Sequence, residues 1–375
     1  MLKFIAVALL LHIGSYHKTY ASDESLDISK LYESHGERFR LELVSSGFST
    51  PWSMTFLSND KALIGERSKG ALTLLDLNTG DKMKLKNLPP MVRSASLSAG
   101  LFDLKIKGNW VYFAYAVGTD SASGLAVAKA RLEGPNLKDI KVLYETPTKR
   151  SGKWHFGGRL VLTDHHIYLS VGDGYDFRDL AQSLDNTMGK ILRLNLDGTI
   201  PKDNPFLGNG TALPEIYAYG SRNAQGMALH PDTGEIWFNE HGPQGGDEIN
   251  ILRPGTNYGW PVITFGEEYG GGKIGEGTHK EGMAQPLHFW TPSIAPSGMT
   301  FYSGSRMKKW KNHLFIGALA KQHLNHITLK GRTMAKENRL FEEAGWRIRF
   351  VEESPDGFLY IANDTGMIMR IIPEN

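Results

Sequence analysis

The stretch Gly158-Arg159-Leu160-Val161-Leu162, with Ile167-Tyr168-Leu169-Ser170-Val171 and Ile191-Leu192-Arg193-Leu194 behind it, carries the reading of the fold. Each run is short, rich in aliphatic and aromatic side chains and set off by turn-forming residues, which is the pattern of strands rather than helices. The same unit returns along the chain, opening again at Trp52, Gly100, Gly226, Gly298 and Arg349. Asp-Gly, Asn-Asp and Asp-Thr-Gly turns separate its strands, and those are residues that hairpins require. A repeat of roughly 50 residues built only from short strands points to propeller blades. A β-sandwich does not repeat in this way, and a doubly wound fold needs long amphipathic helices that this sequence lacks. The expectation is an all-β chain, a six-bladed β-propeller of four-stranded antiparallel blades.

In such a ring, polar residues flanking the recurring Gly of different units should converge at one mouth of the channel. His155-Phe156-Gly157-Gly158 enters the third unit, and an imidazole there can take a proton from a hydroxyl near neutral pH. A lone histidine among 13 more often serves structure. Tyr219-Gly220-Ser221-Arg222-Asn223-Ala224-Gln225-Gly226 enters the fourth unit, where Arg222 offers a fork for carboxylates and Asn223 a matched donor and acceptor. It reads equally as a hairpin whose arginine pins blade edges. Glu240-His241-Gly242-Pro243-Gln244-Gly245-Gly246-Asp247-Glu248, followed by Asn257-Tyr258-Gly259-Trp260, is polar and Gly-rich. Hard cations take several oxygens, often main-chain carbonyls, which such a loop exposes, although loops of this make-up also occur without metal. Arg347 and Arg349, two apart on a strand, point the same way and call for an anion or for acids on neighbouring blades. Gly270-Gly271-Gly272-Lys273-Ile274-Gly275 matches the spacing of a dinucleotide fingerprint. It neither closes a βα turn nor opens a helix, so it reads as a glycine loop.

The 375 residues are 41% hydrophobic and 22% charged, which suits a globular chain with an ample core. Residues 1–21 combine Lys3, an apolar run from Phe4 to Ile13 and Ala21 ahead of Ser22-Asp23-Glu24, a secretory leader too short to span a bilayer. Residues 22–375 then form a single propeller domain, periplasmic or secreted, without stable membrane insertion. Its 40 basic and 40 acidic residues balance, which argues against nucleic acid as a partner. With no cysteine, thiol catalysis, zinc-thiolate sites and lipoprotein anchoring are excluded.

Taken in chain order, His155-Phe156-Gly157-Gly158-Arg159-Leu160, Gly189-Lys190-Ile191-Leu192-Arg193-Leu194-Asn195-Leu196-Asp197-Gly198, Arg222-Asn223-Ala224-Gln225-Gly226 and Glu240 through Trp260 resemble the soluble pyrroloquinoline quinone (PQQ)-dependent aldose sugar dehydrogenases, relatives of soluble quinoprotein glucose dehydrogenase. The resemblance runs from about Pro51 to the C-terminus. It implies oxidation of aldoses at C1 to lactones with PQQ and calcium, with electrons passed to an external acceptor, by a monomer or homodimer. It implies His155 as the catalytic base, oriented by Asp173, and Arg222, Asn223 and His241 at the quinone, with Arg347 and Arg349 on the cofactor's anionic side. The carbonyls of Gly242 and Pro243 match calcium ligands at the cofactor, and Glu248 and Tyr258 match a second calcium site.

Three positions depart from the family pattern. Ser98 stands for Gln, Ala320 for Lys with Lys321 one place along, and Phe350 for Asp. On an alternating strand Lys321 should face away from the site. Those departures define the competing expectation, a PQQ-free, calcium-stabilised propeller that binds a sugar or protein. A calcium-dependent lactone hydrolase is a third reading, but channel-facing acids and Asn residues around one metal are not paired in the sequence.

Overall fold

The computed structural model describes residues 30–93, 98–152 and 154–374, so the leader expected at residues 1–21 lies outside the described residues. The six inner strands are Pro51–Phe56, Leu101–Lys107, Gly157–Leu162, Ala224–Leu229, Pro296–Phe301 and Ile348–Glu353. Each touches the next, and the last touches the first, closing a ring. They define blades 1 to 6, and each pairs antiparallel with the strand that follows it. The expected propeller is therefore found. Five blades are four-stranded, and the sixth has five strands.

The extra strands of blade 6 come from the other end of the chain. Glu37–Ser45 pairs with Ile368–Pro373, with Leu41 opposite Ile371, and Tyr32–Ser34 lies outside it. The repeat gave no sign of this, because these strands precede the first recurring unit. Phe39 and Leu41 carry their side chains into the gap between blades 5 and 6, where Phe39 meets Trp310 edge-on at 5.2 Å.

Six apolar clusters fill the six gaps between neighbouring blades. Successive side chains on a strand point to opposite faces, so a middle strand feeds two gaps at once. Leu359 and Ile361 pack toward blade 5, whereas Tyr360 and Ala362 pack toward blade 1. This is why Leu359–Asn363 and Leu314–Ala318 are buried along their whole length. Phe350, 1% exposed, lies in the gap between blades 6 and 1. Its side chain is core, so the departure there removes no group from the channel.

At the axis the blades crowd. A Cβ on Gly226 would sit 2.4 Å from the Ser297 carbonyl oxygen, and one on Gly298 would sit 2.8 Å from Phe350 Cα, so the recurring Gly is a close-approach residue. Arg159 of blade 3 crosses the channel. Its Nε donates to the Gln225 carbonyl at 2.6 Å and its Nη1 to the Trp52 carbonyl at 3.0 Å, with Asp103 of blade 2 at 3.8 Å. One guanidinium thus ties four blades.

Between the N-terminal hairpin and blade 5 lie three histidines. His313 Nδ1 and His326 Nε2 are 2.8 Å apart, and the His35 ring meets His326 edge-on at 4.5 Å. Ser34 Oγ, held by Asn338, bonds the other nitrogen of His326 at 2.9 Å, Trp310 and Phe315 wall it in, and Lys336 faces His35. Burial, then the neighbouring His35, pushes His313 down to about 4, and burial and both neighbours push His326 lower still.

Two outcomes follow for stability. Phe39→Ala removes a fully buried ring from the closing strand and should lower unfolding free energy by about 3–5 kcal/mol in urea denaturation. The histidines stay neutral in the folded chain while the unfolded chain takes up protons near 6.5. Stability should therefore fall as pH drops from about 6.5 toward 4, and His313→Gln should flatten that slope in urea midpoints measured across the range.

Candidate functional site

Antiparallel pairing sets the start of each inner strand beside the end of the second strand: Pro51 faces Glu66, Gly157 faces Val171, Ala224 faces Glu240 and Ile348 faces Asn363. Two rows of residues from each blade therefore reach the same mouth. The first row holds Trp52, His155, Arg222, Asn223, Arg347 and Arg349. The second holds Arg67, Asp173, His241 and Asp364.

His155 and Asp173 meet across blade 3. The Nδ1 of His155 lies 2.6 Å from Asp173 Oδ1, with the imidazole 12% and the carboxylate 1% exposed. Trp260 Nε1 donates to Asp173 Oδ2 at 2.8 Å, and the Tyr175 N–H donates to Oδ1 at 2.9 Å, so the carboxylate is fixed on three sides. This makes Nδ1 the protonated nitrogen and leaves Nε2 as the basic one. Burial, then the charge of Arg222, pulls the imidazole below its ordinary 6.5, while Asp173 opposes them. Burial pushes Asp173 up, but the His155 hydrogen bond and charge, with Arg222 and the Tyr175 N–H, together hold it below the usual carboxylate range.

Arg222 is next to this pair, since its carbonyl accepts the Asp173 N–H at 2.8 Å. Its side chain, 4% exposed, donates through Nη1 to the carbonyls of His241 at 2.9 Å and Gly242 at 3.0 Å. Asn223 Oδ1 accepts the Gly157 N–H at 3.2 Å and so holds the entry of blade 3. His241 reaches the same space, but its Nε2 donates to the Pro296 carbonyl at 2.6 Å, and burial, then Arg222, drives it down to about 3. Only its Nδ1 is left to face a ligand.

Arg347 and Arg349 do share a face, and an acid of their own blade answers them rather than a neighbour's. Asp364 takes Arg349 through both carboxylate oxygens at 2.8 Å and Arg347 at 2.9 Å. Arg349 also lies 3.9 Å from the Trp52 ring, and Arg67 lies 3.9 Å from the same ring. Burial, then the charge of Arg349, lowers Arg67 to about 9.

In blade 4, Glu240 and Glu248 face one another on paired strands. Burial lifts Glu240 to about 7, against the hydrogen bonds from the Arg222 N–H and Ser221. Burial, then the charge of Glu240, raises Glu248 far above its ordinary value. A pocket of about 10 Å³ adjoins both, with Gly242, Tyr258 and Trp260 in its wall, room for about one water-sized group. The Tyr258 hydroxyl is committed elsewhere, donating to the Ile251 carbonyl at 2.6 Å. Gly242 must be glycine, as a Cβ would sit 2.0 Å from the Gly245 carbonyl, and Asp247 fixes the loop by accepting the Gly242 N–H at 2.8 Å. Among the described residues no group of three or more His, Cys, Asp or Glu is placed to hold a metal ion, so a cation here would need carbonyl oxygens besides the Glu240–Glu248 pair.

Profile comparison places residues 48–370 in the Glucose / Sorbosone dehydrogenase family. The chain belongs to that family. Aldose sugar dehydrogenase YliI of Escherichia coli is 36% identical over 348 residues, which is 89% of this chain and 93% of the relative. The solved apo-form of the soluble aldose sugar dehydrogenase from Escherichia coli superposes with a TM-score of 0.85 at 35% identity, over 90% of this chain and all of that one. The PQQ-bound form of an aldose sugar dehydrogenase from Streptomyces coelicolor superposes with a TM-score of 0.71 at 26% identity, over 90% of this chain and 98% of that one.

The sequence-derived residues thus gather at one mouth, with Glu248 and Tyr258 set back behind the Gly242 loop. Arg67, Asp364, Glu240 and Trp260 were missed as partners. Glu240 ends a second strand and Arg67 and Asp364 directly follow one, a row that register alone identifies. Lys321 lies in the turn after Leu314–Ala318, not on a strand, so alternation does not govern it. No helix among the described residues is long and apolar enough to cross a membrane. Asp173→Asn removes the groups that hold the proton on His155, and its imidazole should titrate lower still, which NMR across pH 4–8 reads directly.

Proposed function

We propose that this chain is a quinoprotein that oxidises aldoses at C1 to lactones with PQQ and calcium, using His155 as the general base. The observation that carries the reading is the oriented dyad His155–Asp173 set beside a crowd of incompletely satisfied guanidiniums. Among the described residues, Arg67 Nε, Arg150 Nη1, Arg159 Nη2 and Arg222 Nε are buried and donate to nothing. Unpaired donors on several cations around one channel suit an anion. PQQ, with three carboxylates and an ortho-quinone, is such an anion and supplies, when bound with calcium, a two-electron acceptor.

Arg67, Arg347 and Arg349 would hold the anionic side of that group, with Trp52 between Arg67 and Arg349. Arg222, Asn223 and the free nitrogen of His241 would face its quinone end. The carbonyls of Gly242 and Pro243 would hold the calcium there. The second cation would use Glu248 with Glu240 and, because the phenol is occupied, the main-chain carbonyl of Tyr258. Oxygen donors of this kind suit a hard cation, and a positive ion would relieve the repulsion of the two glutamates.

His155 Nε2 takes the proton from the C1 hydroxyl of the sugar, while Asp173 keeps Nδ1 protonated and balances the imidazolium that forms. The sugar loses a hydride from C1 and leaves as the lactone. Because burial and Arg222 keep His155 neutral at pH 7, the base is ready without prior deprotonation. The arginines steady negative charge that develops opposite. We place residues 1–21 as an export leader and the working enzyme in the periplasm or outside the cell, acting on a free sugar and passing electrons to an external acceptor.

Purified protein should reduce a redox dye with glucose only after both PQQ and calcium are added. His155→Ala should lower that rate by on the order of 10²–10⁴-fold while leaving PQQ binding, followed by absorbance titration, in place. Protein that takes up no PQQ overturns the reading.

A further inference from the structure

Gly189-Lys190-Ile191 takes no part in the dyad or in the group of arginines, yet its lysine is wholly enclosed. Lys190 opens the third strand of blade 3, Lys190–Asn195, and is 0% exposed. Burial pulls its amine below the ordinary value, with the charge of Asp185 opposing. Nζ donates to three main-chain carbonyls, those of Leu180 at 3.0 Å, Ala181 at 3.1 Å and Met188. An ammonium has three donors and all three are used here, which is the condition for keeping a charge in the interior. Methionine would fill the same space without desolvating a charge.

The three carbonyls belong to the loop that backs the dyad. Leu180 and Ala181 lie in the 3-10 helix Arg178–Gln182, and Met188 stands just before the strand. From that helix the Ala181 carbonyl also accepts the Gly220 N–H at 3.1 Å, and the Gly220 carbonyl accepts the Trp260 N–H at 2.9 Å. Gln182 Nε2 donates to the Trp260 carbonyl at 2.7 Å and to Asn257 Oδ1 at 3.0 Å, while Asn257 Nδ2 donates back to Gln182 Oε1 at 2.8 Å. Ala181, Trp260 and Ile274 form an apolar cluster of their own. The packing has no slack, since a Cβ on Gly189 would sit 2.5 Å from Ala181 Cβ. Trp260 is thereby held by its main chain and by its ring, and its Nε1 meets Asp173 Oδ2 at 2.8 Å.

We propose that Lys190 is a positioning residue for His155. Its ammonium fixes the helix Arg178–Gln182, the helix seats Trp260, and the indole N–H holds Asp173 so that Oδ1 keeps the proton on His155 Nδ1. The role of His155 as base rests on the functional reading above, whereas its orientation through Lys190 does not. Without the ammonium three buried carbonyls lose a donor, and the loop shifts to replace it. Trp260 shifts with the loop, the carboxylate turns, and the imidazole proton can occupy either nitrogen. A ring that carries its proton on Nε2 cannot accept one there from a sugar hydroxyl.

The test reads the His155 tautomer by nitrogen-15 NMR at about pH 8, where the ring is neutral, and the turnover of glucose by the reconstituted enzyme. The native protein should show the Nδ1–H form. Lys190→Met should show both forms and lower kcat about tenfold, with KM for glucose within about twofold. Trp260→Phe should also mix the tautomers, and the double variant should lose no more turnover than Trp260→Phe alone, because both changes act through one bond. Gln182→Leu, at a half-buried position, cuts the link to Trp260 while leaving the ammonium in place, and it too should mix the tautomers. That variant decides the matter where melting temperatures show that Lys190→Met does not fold. A lowered melting temperature with the Nδ1–H form and kcat unchanged overturns the proposal, as do additive losses in the double variant or an unchanged tautomer in Gln182→Leu. Mixed tautomers in variants of a protein that oxidises no aldose leave the positioning standing and overturn the functional reading.

Discussion

Leu41 lies opposite Ile371, and through that register a strand near the start of the described chain becomes part of the last blade. Ring closure depends on it. Each blade buries its two faces against two neighbours, so an open ring would leave apolar faces of blades 5 and 6 in water and free the inner strand Ile348–Glu353 from its seat. The site draws on blades 1, 3, 4 and 6, and no two of its charged groups are joined by a short piece of chain except within a blade. What sets the Arg349 guanidinium against the Trp52 ring is the angle at which six sheets pack, fixed once the circle is shut.

Within that circle, the recurring unit was legible because inner and middle strands are buried on both faces and read as short unbroken apolar runs. The outer strands were not. Lys82–Lys84 is exposed at every position, and Asn136–Glu145 is mostly so, because an outermost strand packs on one side and has no need of a regular pattern. The N-terminal strands were silent for another reason, as their partner is more than 300 residues away and local sequence carries no mark of it. Phe350 shows the converse. It looked like a missing cofactor contact when aligned by motif, yet alternation from Arg349 in the channel turns it into the core.

The candidate site divides along the same line. His155, Arg222 and Asn223 stand at recurring Gly positions, where motif and repeat agree, and they were found. Asp364 and Arg67 stand after second strands, where no motif marks them, and only the antiparallel register brings them to the mouth. The same register explains Asp173 and His241, which resemblance had supplied without a geometric reason. Trp260 enters from the long excursion between the third and fourth strands of blade 4; its segment was marked in the sequence, but nothing there showed that the indole reaches Asp173.

The distribution of charge bears on the choice between the catalytic reading and that of a propeller that has lost its cofactor. Asp364 is shared by Arg347 and Arg349, leaving the pair with a net positive charge, and Arg67 beside them has its affinity for a proton reduced by burial and then by the charge of Arg349. Bringing like charges together in a partly desolvated channel is unfavourable unless an anion joins them. A neutral sugar offers no such relief. At the other side of the mouth the problem has the opposite sign, with Glu240 and Glu248 facing each other and both carboxylates pushed toward protonation. Arg222 stands between the two regions, donating its main-chain N–H to Glu240 and its side chain to the Gly242 carbonyl. A surplus of cations on one side suits an anion, and the two facing glutamates on the other suit a cation or a proton.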